Sequence, residues 1–189
     1  MEISLVRHGK SKHVHNKIMT CNEFNEWVRK YDDSGIFEEK SYPLDTLNKV
    51  STANIVITSD LKRSIDSAKF LNPTVKIISS SLFRETELPI PSKSLWGVKL
   101  KPKFWAVALR CLWFTGYSDG CESLSSAQQR ASIAATELVE YAQKYKSVAF
   151  VGHGFINRLI AKELQNMGWK GKRETDSKHW GCTTYTLFS

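Results

Sequence analysis

Two short runs, Ile3-Ser4-Leu5-Val6 and Val148-Ala149-Phe150-Val151, each end at a histidine flanked by glycine: Arg7-His8-Gly9 and Gly152-His153-Gly154. Both runs are apolar and rich in β-branched residues, with little alternation of apolar and polar positions. A strand with one wet face alternates, whereas one covered on both faces does not, so these runs suit a parallel sheet buried between helices. The strand candidates are Ile3–His8, Asn54–Ser59, Val75–Ser79, Val148–His153 and Thr183–Phe188.

Helical patterns separate them. Leu61, Ile65, Ala68 and Leu71 keep one apolar face along 61–71. Leu124, Ala127, Ala131, Ala134, Leu138, Tyr141 and Tyr145 do the same along 125–145, and Ser125 with Gln128 has capping-box spacing. Phe155, Ile156, Leu159, Ile160, Leu164 and Met167 mark a third helix, for which Gly168 is the stop. Strands alternating with helices predict an α/β chain, a three-layer αβα sandwich around a mostly parallel sheet. Ligands of such sheets sit beyond the carboxyl ends of the strands.

At 189 residues the chain is expected to form a single domain spanning 1–189. One stretch breaks the alternation. From Pro89 to Cys121 the chain is rich in Pro, Lys and aromatics (Trp96, Phe104, Trp105, Trp113, Phe114, Tyr117), which predicts an insertion with a short helix around Phe104–Phe114. It is open to three readings: a lid that helps select the leaving group, a patch for a membrane or partner, or aromatics packed onto the domain.

Several function classes are disfavoured. No apolar run is long enough for a transmembrane segment, and the N-terminus lacks a secretory pattern. Cys21, Cys111, Cys121 and Cys182 form no CxxC pair, so spacing gives a zinc site no support. They read as reduced thiols in a cytoplasmic protein. The net charge of +8 attracts anions in general. Its basic residues are scattered, and no nucleic-acid partner is expected.

The strand ends carry the chemistry. If the strands are parallel neighbours, Arg7, His8, Arg63 and His153 converge. Each guanidinium is always charged and offers a fork to phosphate oxygens. The glycines let backbone approach an oxyanion. The helix beginning near Gly154 would aim free N–H groups and its positive end at the same anion. A neutral imidazole among these charges is a competent nucleophile.

In these residues the sequence resembles the histidine phosphatase superfamily, which includes the phosphoglycerate mutases. Leu5-Val6-Arg7-His8-Gly9 is similar to the family's opening signature, and Thr58–Ala68 to its second arginine motif. Cys121-Glu122-Ser123-Leu124 with Arg130 resembles the segment leading into its long helix, and Val151-Gly152-His153-Gly154 its second histidine motif. The resemblance implies a phosphoglycerate mutase-like fold and hydrolysis of a small phosphorylated substrate, with no cofactor and no metal. His8 would be the phosphorylated nucleophile, with Arg7, Arg63 and His153 around the transferred group. Glu85 would be the proton donor, with Glu87 as the fallback. Lys10, Asn16 and Gly154 would contact substrate. Lys10-Ser11 stands where the family often has Glu-Ser, and Val14 where it often has asparagine, with Asn16 two residues on. The added Lys10 either favours polyanionic substrates or faces water. Two alternatives stay open: a mutase moving phosphate within a sugar or glycerate, and a non-catalytic phosphate-binding module. The sequence does not define the oligomeric state.

Overall fold

A computed structural model of the chain describes residues 1–91 and 97–188. Trp96 of the aromatic stretch lies outside the described residues. Six strands form one sheet in the order β3-β2-β4-β1-β6-β5: β1 Glu2–Arg7, β2 Ile55–Ser59, β3 Ile77–Ser80, β4 Ser147–Gly152, β5 Lys170–Gly171 and β6 Cys182–Thr186. The first four in that order run parallel, while β6 is antiparallel to both β1 and β5.

The unalternating runs are explained by the two faces they serve. Ile3, Leu5, Ile55, Ile57, Val148 and Phe150 pack on one side, under α5 (Leu124–Tyr145) and α6 (Gly154–Asn166). Val6, Val56, Ala149 and Val151 pack on the other, with Val50 of α2 (Leu44–Ser51) and Ala68 and Leu71 of α3 (Lys62–Leu71). Successive strand residues point to opposite faces and both faces are dry, so the architecture is a three-layer α/β sandwich. No described helix is long and apolar enough to cross a membrane.

Local details depart from the sequence reading. α5 is capped by Ser123, whose hydroxyl accepts from the Ser126 amide, and not by Ser125. The edge strand begins at Ile77 instead of Val75 and is only half-buried. α6 stops as expected, with Gly168 at φ 89° just beyond its end. Two helices were not anticipated: α2 and α1 (Cys21–Asp33). α1 packs against α4 (Pro102–Phe114), the helix of the aromatic stretch, through Cys21, Phe24, Trp105 and Leu109. Trp105 and Trp113 are therefore core residues, while Phe104 and Phe114 stay exposed. All four cysteines are free thiols.

Candidate active site

Parallel pairing brings three strand ends together. Arg7 at the end of β1 lies opposite Gly152 at the end of β4, and Thr58 of β2 lies opposite Val151. His8, His153 and Ser59 thus emerge side by side, and α3 delivers Arg63 one turn after β2. The His8 and His153 rings stand 5.1 Å apart, edge to face.

His8 is buried. Its Nδ1 donates to the carbonyl of Gly9 at 2.7 Å. A carbonyl only accepts, so the proton of the neutral ring is on Nδ1 and the lone pair on Nε2. Burial, then the Arg63 guanidinium, hold this imidazole well below the ordinary histidine range. Arg7 and His179 add to the effect, and the Gly9 hydrogen bond opposes it.

The His153 imidazole is also held well below that range, by burial first and then by Arg63, His8 and Arg7. Its Nε2 meets the Ser59 hydroxyl at 2.7 Å, and Ser59 also accepts from the Leu61 amide. A hydroxyl carries one proton and two lone pairs, so Ser59 can pair with Nε2 in either tautomer of His153. His153 Nδ1 and the Nε atoms of Arg7 and Arg63 are buried with no hydrogen-bond partner among the described residues. Buried polar groups of this kind cost about 1–3 kcal/mol each when unmatched. Their clustering around His8 marks a place for an oxyanion.

The two arginines are held differently. Arg7 donates through Nη1 to the Ser177 carbonyl. Arg63 donates through Nη1 to Asp32 at 2.7 Å and lies over the Tyr31 ring at 4.8 Å. A bare guanidinium pair is thereby partly neutralised by one carboxylate from α1.

Glu85 accepts from the amides of Thr86 and Ile156 on one oxygen and of Phe155 on the other, at 2.9–3.0 Å. It therefore occupies the N-terminus of the helix that His153 opens. This corrects one expectation: the amides of Phe155 and Ile156 are not free for a phosphoryl group, because a carboxylate of the protein already uses them. The loop bearing Glu85 is fixed by Arg130, which donates to the carbonyls of Leu82 and Arg84 and pairs with Glu122. Arg84 pairs with Asp60 through two hydrogen bonds, so neither Glu85 nor Glu87 is its partner. Glu87 is exposed and accepts from the Glu122 amide.

The remaining expected contacts differ among themselves. Gly154 abuts Arg7: a Cβ there would lie 3.4 Å from its Nε. Lys10 is exposed, and its charge reaches His179. Asn16 is exposed in the loop before α1.

Sequence reasoning missed three residues here. Tyr31 and Asp32 come from the unanticipated α1. His179, from the loop before β6, donates through Nδ1 to the His8 carbonyl at 3.1 Å, with its ring 5.5 Å from that of His8. Only the pairing of β6 beside β1 could have pointed to it. The next residue, Trp180, takes φ 62° and packs on Gly9, where a Cβ would fall 2.1 Å from its ring.

Comparison with known proteins places the fold and the family. The profile described as histidine phosphatase superfamily (branch 1) matches residues 44–187. No curated protein matches the sequence. Among solved structures, phosphoserine phosphatase from Entamoeba histolytica in complex with 3-phosphoglyceric acid is similar at 16% identity and a TM-score of 0.58, over 100% of this chain and 95% of that one. A mycobacterial glucosyl-3-phosphoglycerate phosphatase aligns at 18% identity and TM-score 0.55, over 87% of this chain and 79% of its own. Mycobacterial hydrolase 1 aligns at 19% identity and TM-score 0.60, over 88% of this chain and 80% of its own. At such identities the structural likeness speaks for the fold, which is phosphoglycerate mutase-like. The profile match spans most of the sequence: the chain belongs to the histidine phosphatase superfamily, branch 1.

Proposed function

We propose that the protein hydrolyses a small phosphomonoester through a phosphohistidine on His8. Nε2 of the neutral imidazole attacks phosphorus, and the bond to the alcohol oxygen breaks. Glu85 gives that oxygen its proton. Water then attacks the phosphohistidine, Glu85 takes a proton from it, and inorganic phosphate leaves as the N–P bond breaks. Arg7 and Arg63 balance charge on the equatorial oxygens throughout, with the His153 ring beside them. Positioning and charge are most of what such a transfer demands. Phosphoserine and glucosyl-3-phosphoglycerate phosphatases share the fold, in keeping with a small phosphorylated substrate.

The observation that carries the reading is the state of His8. Its Nδ1 proton is held by the Gly9 carbonyl and its lone pair is on the other nitrogen, while burial and then the Arg63 and Arg7 charges hold the imidazole well below the ordinary histidine range. For the donor, Glu85 is favoured over Glu87, since it sits against the first turn of the helix that starts at His153. No step uses a metal. The test is phosphate release from an alkyl phosphate in the presence of a chelator. Wild type is expected to turn over, and His8→Ala to fall by about a thousandfold or more. Comparable rates for the two proteins would remove His8 from the mechanism.

A further inference from the structure

The surroundings of the leaving alcohol carry more information than the phosphoryl end. A cleft of about 750 Å³ opens at Tyr31, Arg63 and Glu85 and runs between α1, the 84–90 segment and α4. That is room for a drug-sized ligand, far more than the side chain of a phosphorylated serine needs.

One wall is aromatic. Phe24, Trp27 and Tyr31 recur on a single face of α1 and stack in a row. Ring centroids are 5.8 Å apart at 12° for the first pair and 5.2 Å at 20° for the second. The row starts at the chemistry, because the Tyr31 ring stands 6.5 Å from that of His8 and against Arg63. Leu88 and Leu109 line the cleft from the other two elements.

The charges along the cleft are largely engaged. Arg84 is paired with Asp60 and Arg130 with Glu122. Arg110 donates to the carbonyls of Thr86 and Glu87 and lies over the rings of Trp113 and Phe155. Arg29 borders the cleft from an exposed position, and Glu87 adds a negative charge. A second anionic group on the substrate would meet cations already committed, whereas an apolar ring would meet the edges of the aromatic row, whose ring faces are taken up by one another, by Trp105 and by Arg63.

We propose that this cleft takes an aromatic ring carried by the alcohol, so that the substrate class is an aromatic phosphomonoester and not a small polar one. The inference rests on the reading that the phosphoryl group sits at His8. Benzylphosphonate and ethylphosphonate carry the same kind of headgroup and cannot be hydrolysed, so their dissociation constants read the cleft without the chemistry. Calorimetry should show benzylphosphonate binding about 30-fold tighter, from ring area removed from water. Trp27→Ala should bring the ratio to within about threefold, and Trp27→Phe should restore most of it. A wild-type ratio near one, or no binding of either compound, overturns the proposal. Benzyl and ethyl phosphate, both with alkyl leaving groups, then separate the two claims. Ring preference in binding without turnover of either ester would refute the hydrolase reading and leave the cleft assignment standing. Equal affinities with turnover of both would do the reverse.

Discussion

Mild acid should destabilise this protein through His8 and His153. They are 3% and 0% exposed, and burial, followed by the Arg63 charge, holds both imidazoles well below their ordinary value of 6.5. In the unfolded chain both titrate near 6.5. Below that pH, and above the depressed folded values, the unfolded state binds two more protons than the native state, so stability drops as pH drops. The limiting slope is about 1.4 kcal/mol per pH unit for each histidine. Integrated from about pH 7 to about pH 5.5, the pair costs about 2–3 kcal/mol, a sizeable part of a typical 5–15 kcal/mol total. Ordinary carboxylates titrate below this window. His13 and His179 are shifted in the same direction but are common to both proteins compared, so they cancel. The assay is guanidinium unfolding across this range for wild type and for the His8→Asn, His153→Asn double variant. The variant should lose about 2–3 kcal/mol less than wild type over the window. Parallel pH dependences in the two proteins would refute the claim that these imidazoles are buried neutral.

Glu85→Gln should lower turnover of alkyl phosphates by about 100-fold or more and that of nitrophenyl phosphate far less, since nitrophenolate leaves without a proton; Glu87→Gln should change neither. Ser59→Ala removes the buried partner of His153 Nε2 and should reduce kcat about tenfold, with circular dichroism confirming the fold. Gly9→Ala places a Cβ 2.1 Å from the Trp180 ring and should cost about 1–3 kcal/mol in thermal or denaturant unfolding, whereas Gly154→Ala, with its nearest atom at 3.4 Å, should fold normally.

The elements that the sequence made legible are those whose pattern is imposed by the sheet. β1, β2 and β4 are covered on both faces, so their unbroken apolar character survives any detail of what covers them. Arg7, His8 and His153 were findable because they end those strands, and Arg63 because it opens the helix after one. α1 was missed because its apolar residues face α4, so their partner lies in the segment that breaks the alternation. Its start was nonetheless written in Thr20 and Glu23, which form a reciprocal capping box. Missing α1 hid Tyr31 and Asp32, and with them the partner of Arg63. His179 was invisible for another reason: its place beside His8 depends on β6 returning antiparallel to β1, a pairing that no local pattern announces. The use of the α6 amides by Glu85 depends on a contact across 70 residues, beyond the reach of spacing arguments.

The central claim concerns a covalent bond, and it is tested most directly by trapping it. The enzyme is mixed with a labelled phosphomonoester, quenched in alkali, digested and mapped by mass spectrometry. The account predicts an alkali-stable, acid-labile phosphoryl group on the peptide containing His8, absent from His8→Ala. Turnover with the label on another residue, or with none trapped on His8 under rapid quench, would contradict it.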